Sequence, residues 1–212
     1  MVKATQLALA QVQDQLQALS NKNVAQSSQR FFKTGPGQYG EGDLFLEIRV
    51  PVLHALSKQA TQLTLNDLQV LLDSKWHESR LLALMSLVLQ FEKVLKKDLS
   101  QAKIFVDFYL KNTARINNWD LVDGSAAYIV GPYLIESGEP RDFLYTLARS
   151  NSLWERRIAV LSAFAFIRVN DFEDCFKLCE VLMNDKQDLM HKAMGWMLRE
   201  IGKRNQKAEE AF

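Results

Sequence analysis

A tryptophan and an aspartate one helical turn apart, Trp119 and Asp123, stand in the least ordinary stretch of this sequence. Asn117 to Gly131 reads Asn-Asn-Trp-Asp-Leu-Val-Asp-Gly-Ser-Ala-Ala-Tyr-Ile-Val-Gly. On a helix that spacing stacks the two side chains on one edge, beside an apolar face formed by Leu121, Val122, Ser125, Ala126 and Ile129. Asn118 suits the N-cap, because its side-chain oxygen can accept from a free first-turn amide. An indole face attracts cations, and a carboxylate next to it stabilises positive charge that develops nearby. Taken alone, the pair also has a plainer reading, a tryptophan packed beside the core with a solvated or cap-like acid.

Two later segments carry matching residue types. Leu153-Trp-Glu-Arg-Arg-Ile-Ala159 offers Arg156 and Arg157, and Met194-Gly-Trp-Met-Leu-Arg-Glu200 offers Trp196, Arg199 and Glu200. The elements that must position them are helices. Apolar periodicity predicts helices at 3–20, 24–32, 52–61, 65–74, 78–93, 99–115, 119–130, 141–149, 153–167, 172–183 and 189–203. Breakers fall between them, among them Gly131-Pro132 and Ser137-Gly-Glu-Pro140, and no strand is predicted.

The stretches 72–83, 148–159 and 183–193 each hold a helix end, a polar turn, a bulky residue, a basic residue and an alanine. Ala83, Ala126, Ala159 and Ala193 are then spaced 43, 33 and 34 residues apart, in the range of two-helix HEAT-like units. The expected fold is all-α, a curved solenoid of antiparallel helix pairs whose inner helices line a concave groove, formed as one domain over residues 1–212.

In such a groove, two tryptophans and an acid suit a cationic centre, and an arginine at the border suits a phosphate held by a bidentate contact. Alkylated DNA meets that description, since N3- or N7-alkyl purines carry positive charge within a polyphosphate. A cationic purine is also a good leaving group that needs no general acid. The global charge does not advertise such a partner: 26 basic and 25 acidic residues leave a net +1, so a phosphate-binding face requires segregation of Lys and Arg.

The chain resembles the AlkD-type DNA alkylation-repair glycosylases over nearly its whole length. The match is carried by Phe31-Phe-Lys-Thr-Gly-Pro-Gly-Gln-Tyr-Gly-Glu-Gly-Asp-Leu-Phe-Leu-Glu-Ile-Arg-Val-Pro51, Asn118-Trp-Asp-Leu-Val-Asp123, Leu153-Trp-Glu-Arg-Arg-Ile-Ala-Val-Leu161 and Gly195-Trp-Met-Leu-Arg-Glu-Ile201. The resemblance implies a HEAT-like solenoid that holds duplex DNA containing alkylated bases. It implies hydrolysis of the N-glycosidic bond of cationic alkylpurines of the 3-methyladenine and 7-methylguanine type, without base extrusion, cofactor or metal. It implies Asp123 as the catalytic carboxylate, Trp119 and Trp196 as aromatic residues flanking the lesion sugar, and Arg157 as a backbone clamp. Arg156, Arg199, Lys33 and Tyr39 join the expected DNA-binding set. Where the family pattern has a glycine after Phe-Leu, this chain has Glu47, which would repel DNA if that segment approached it. Members of the same superfamily keep the fold without the activity, so a non-catalytic DNA- or protein-binding scaffold is the alternative.

Other features have quieter readings. The loop 33–43 holds four of the nine glycines and is either a tight connection or a phosphate cradle, although it lacks the Gly-Lys-Ser/Thr ending of a nucleotide loop. His54, His77 and His191 read as surface or cap histidines, and Lys93 to Lys97 as cations complementing a helix C-terminus. Trp76 and Trp154 read as packing between repeats, and Arg156 either as a second phosphate contact or as a partner near Glu155. Cys175 and Cys179, one turn apart on one helix, read as buried thiols. With no apolar stretch of membrane-spanning length, the expectation is a monomer of the bacterial cytoplasm with access to the chromosome.

Overall fold

The computed structural model describes residues 6–20 and 31–212. Among these residues the regular structure is helical, with one isolated parallel β-bridge between Leu44 and Trp76. The helices are α1 (Leu9–Ala18), α2 (Val50–Gln59), α3 (Leu65–Leu72), α4 (His77–Leu95), α5 (Leu99–Lys111), α6 (Trp119–Asp123), α7 (Ala126–Ser137), α8 (Asp142–Ala148), α9 (Leu153–Arg168), α10 (Glu173–Leu182), α11 (Asp188–Gly202) and α12 (Gln206–Ala211). The helix expected at 24–32 lies, apart from its last two residues, outside the described residues, as do the first three residues of the one expected at 3–20.

Local chemistry sets where the helices begin. Thr64 and Asp67 close a capping box at the start of α3, with the Thr64 hydroxyl accepting from the Asp67 amide and the Asp67 carboxylate accepting from the Thr64 amide at 2.8 Å. Asp98 accepts from the Gln101 amide at 3.0 Å ahead of α5, and Ser152 accepts from the Glu155 amide ahead of α9. Pro51 sits in the first turn of α2, where its missing amide hydrogen is no loss.

The chain divides into two compact units, Met1–Lys93 with Ala114–Leu121, and Val94–Thr113 with Val122–Phe212. In the first, Leu53, Leu56, Leu68, Leu71, Leu72, Leu82, Leu84 and Phe91 form a buried apolar core from α2, α3 and α4. The glycine-rich loop resolves as a tight connection. Gly35 donates to the Gln38 side chain at 2.9 Å, Gly37 to Glu41 at 2.8 Å and Gly40 to the Lys33 carbonyl at 3.2 Å, so three of the four glycine amides are engaged by the loop itself. Gly40 is required there by space, because a Cβ would lie 2.4 Å from the Phe32 carbonyl oxygen.

The second unit is organised on α9, which packs against α7, α8, α10 and α11 and buries ten of its sixteen residues. Here the structure corrects the expected helix at 119–130. The helix breaks after Asp123, and α7 starts after Ser125 and runs on through Gly131 and Pro132. Ser125 leaves the helical conformation between the two, with φ −136°, and its hydroxyl lies 2.9 Å from the buried Tyr109 hydroxyl. Gly131 is not a breaker but a contact point, since a Cβ there would fall 2.3 Å from the Ser162 carbonyl and 2.6 Å from the Ala165 Cβ on α9. Pro132 is accommodated within α7 despite its missing donor.

A matched pair of substitutions tests this packing. Gly131→Ala overpacks the α7–α9 contact and is expected to lower stability by about 1–3 kcal/mol. Gly195→Ala, on α11 with nothing within 4 Å of its Cβ, is expected to raise it by about 0.5–1 kcal/mol through helix propensity. Urea denaturation of both variants measures the difference; equal effects would contradict the close approach at Gly131.

Candidate functional site

In the first unit the buried carboxylate of Asp43 gathers three donors. Arg80 Nη2 lies 2.6 Å from one oxygen, while Asn118 Nδ2 at 3.0 Å and His77 Nδ1 at 3.3 Å approach the other. Two of these reach the start of α6. Asn118 Oδ1 accepts from the Trp119 amide at 2.8 Å, and His77 Nε2 lies 2.7 Å from Asp120 Oδ2. Asp43 thus fastens the turn that carries Trp119 through both neighbours of that residue. His77 is 2 % exposed, which corrects the surface or cap reading for this histidine; His54 and His191 are exposed as expected.

The titration of these groups follows from their partners. Burial by itself would lower the His77 pKa, but the Asp120 hydrogen bond, then the Asp43 one and the charges of both, outweigh it and raise it from 6.5 to about 9. For Asp43, burial works to raise the pKa and is outweighed by the His77 bond, the Arg80 charge and the Asn118 bond, so its carboxyl is held below the usual range. Asp43 and His77 therefore carry opposite charges at neutral pH.

Trp119 is half-buried in an aromatic cluster. Phe32 stacks on it at 5.4 Å with an 18° interplanar angle, and Phe31 meets it edge-on at 5.7 Å. Phe32 also stacks on Phe45 at 4.9 Å, which in turn stacks on His77 at 4.7 Å. Glu78, one residue on, accepts from the amides of Leu46, Glu47 and Ile48 at 2.8, 2.7 and 3.4 Å, so α4 anchors the segment that supplies Phe45. Within that segment Glu47 has φ 62°, a left-handed conformation suited to glycine and costing a larger residue of order 1 kcal/mol. Lys33 is exposed, its Nζ 5.9 Å from the Tyr39 ring centroid.

In the second unit Arg157 grips Asp123 at both oxygens, Nε to Oδ1 at 2.7 Å and Nη2 to Oδ2 at 2.8 Å. Its remaining terminal nitrogen, Nη1, donates to the Leu189 carbonyl at 2.5 Å. The Arg157 side chain is 6 % exposed and that of Asp123 18 %, so the guanidinium is enclosed while the carboxylate keeps an open side. Arg156, in contrast, turns to Asp185 at 2.6 Å and to the Ser150 and Asn151 carbonyls at 2.9 and 3.0 Å. Glu155 is not its partner: that carboxylate accepts from Thr113 and Ser150. Trp196 is half-buried beside Phe164, ring centroids 6.0 Å apart, and donates Nε1–H to Glu200 at 3.2 Å. Arg199 is exposed.

With this geometry in place, the comparison with known families is decisive at one level. The sequence profile of the family described as DNA alkylation repair enzyme matches residues 12–212. The chain belongs to that family. A search of curated proteins returns no match. The DNA alkylation repair match runs through both compact units and covers Trp119, Asp123, Arg157 and Trp196. Among the described residues, no helix is long and apolar enough to cross a membrane, and no group of three or more His, Cys, Asp or Glu is placed to hold a metal ion. Cys175 and Cys179 are free and buried.

His77, Asp43 and Asp120 were not singled out as a group by sequence reasoning. One signal was present: His77-Glu-Ser-Arg80, four polar residues directly ahead of the largely apolar run 81–89 of α4, are all buried. Because the folded His77 pKa lies above its ordinary value, its stabilisation is complete below about pH 6.5 and is lost as pH rises through about 9. The shift corresponds to about 3 kcal/mol. The urea midpoint of the wild type is expected to fall across that window. His77→Gln is expected to be less stable at the lower end and to lack the fall; an unchanged pH slope in the variant would exclude this role.

Proposed function

We propose that the chain is a DNA glycosylase that hydrolyses the N-glycosidic bond of cationic alkylated purines in duplex DNA, leaving an abasic site. The observation that carries this reading is the Asp123–Arg157 pair: a carboxylate fixed in orientation by an enclosed guanidinium, open on one side, one turn after Trp119 in a chain of the DNA alkylation repair family.

Each step has a residue. An alkyl group at N3 or N7 places positive charge on the purine, so the C1′–N bond breaks with its electron pair moving to the base, which departs neutral without a general acid. The sugar becomes oxocarbenium-like, and Asp123 stabilises that charge. The Asp123 side chain keeps 18 % of its surface exposed, and on this reading it accepts from a water that attacks C1′ and takes up the proton that water gives up. Since the leaving group is activated by its own charge, the reading assigns no step to a metal or cofactor.

Trp119 and Trp196 are proposed to flank the lesion sugar, with their faces towards positive charge. Arg156 is assigned to the DNA backbone together with the exposed Arg199 and Lys33 and the half-buried Tyr39. Arg157, expected as a backbone clamp, is enclosed and engaged at all three nitrogens, so its assigned task is to hold Asp123. The contacts of α9 with α7 and α11 support HEAT-like pairing of helices in the second unit. We assign the activity to a monomer in the bacterial cytoplasm.

The ion pair also favours a second reading, a non-catalytic scaffold in which Asp123 and Arg157 only brace the fold, because both carboxylate oxygens are occupied. Asp123→Asn separates the two. On the glycosylase reading the variant binds methylated duplex DNA as the wild type does and excises 7-methylguanine about 100-fold more slowly or worse. Excision at the wild-type rate would remove Asp123 from the mechanism.

A further inference from the structure

Phe32, Phe45, Leu53, His77, Glu47 and Asp120 line a cavity of about 200 Å³ within the first unit. Sites that enclose a whole drug-sized molecule measure roughly 300–1,000 Å³, so this one suits a compact cationic head group, with the rest of any larger ligand left outside. Three observations meet at Glu47. It holds a left-handed backbone conformation, φ 62°, that a glycine would adopt without strain. Its Oε1 is buried and has no hydrogen-bond partner, a costly state for a carboxylate oxygen. The third is charge.

The cavity is lined by the carboxylates of Glu47, Glu78 and Asp120 and the cations Arg49 and His77, three against two, with the Asp43–Arg80 pair beyond His77. Asp43 is paired with Arg80, Asp120 with His77, and Glu78 is satisfied by three backbone amides. Arg49 is exposed, and no hydrogen bond joins it to the buried Glu47 oxygen. Among the lining carboxylates, Glu47 is thus the one with a buried oxygen that no donor meets. The remaining lining is aromatic and aliphatic, which fails the many-oxygen coordination that Ca²⁺ or Mg²⁺ demands but suits an organic cation held against rings.

We propose that this cavity binds a small organic cation bearing an alkylated, positively charged nitrogen, with Glu47 as its counter-ion. An alkylated purine nucleoside and a simple alkylammonium share that chemistry. The proposal does not rest on base excision, and its test contains no DNA: the full chain is titrated calorimetrically with 7-methylguanosine at mildly acidic pH, with tetramethylammonium, and with guanosine as the neutral control. At least one of the two cations is expected to bind tenfold or more tightly than guanosine, and to lose tenfold or more in Glu47→Gln. Binding of 7-methylguanosine alone assigns the site to the nucleoside; binding of tetramethylammonium assigns it to the cationic nitrogen itself.

Glu47→Gly retains the backbone conformation without the carboxylate, so a folded variant of normal thermal stability that loses binding places the effect on the charge. Absence of saturable cation binding in the wild type, or equal affinity in the wild type and both variants, would overturn the proposal.

Discussion

A carboxylate drawn wholly or partly out of water costs stability unless it is paired, and Asp43 in one unit and Asp123 in the other are both paired. In the first, Asp43 is matched by Arg80, His77 and Asn118, which come from the start of α4 and from the residue preceding α6. In the second, Asp123 is matched by Arg157, itself fixed by the Leu189 carbonyl at the start of α11. Satisfying these acids draws together segments distant in sequence. Residues 118 and 120 are held in one unit and residue 123 in the other by the same kind of interaction.

The consequence for chemistry is preorganisation. A carboxylate that stabilises a sugar cation is effective when it does not have to reorient as charge develops, and a two-point guanidinium grip supplies that constraint. Trp119 is constrained in a different manner, by a capped amide at its own residue, a charged bond from its neighbour Asp120 and rings stacked on its face. Both side chains are held by contacts that a shared helix edge alone would not supply.

Much of this was legible in the sequence, for physical reasons that differ from residue to residue. Helix positions followed from apolar period, while the caps Thr64, Asp98 and Ser152, which act locally, mark where those helices begin in the structure. Gly131 was misread because its role lies in another element: it admits the Ser162 carbonyl of α9, and next to Pro132 it imitates a helix terminus. His77 was misread because nothing near it in sequence announces the two carboxylates, 34 residues before it and 43 after it, that make its burial tolerable. Arg157 was identified as a candidate residue from its segment, but its grip on Asp123 is a tertiary fact. Glu47 was visible as a departure from the family pattern, whereas its left-handed backbone and unpartnered oxygen emerge only in three dimensions.

Membership of the DNA alkylation repair family fixes the general task, and on the proposed reading the Asp123–Arg157 pair serves cleavage of a bond to an already charged base. The most direct measurement is the release of free base: the purified wild-type chain is incubated with methylated duplex DNA in the presence of a chelator, and the soluble fraction is analysed chromatographically. The account predicts free 7-methylguanine or 3-methyladenine together with abasic sites in the DNA. Tight binding of the same DNA with no base released would contradict it and leave the scaffold in its place.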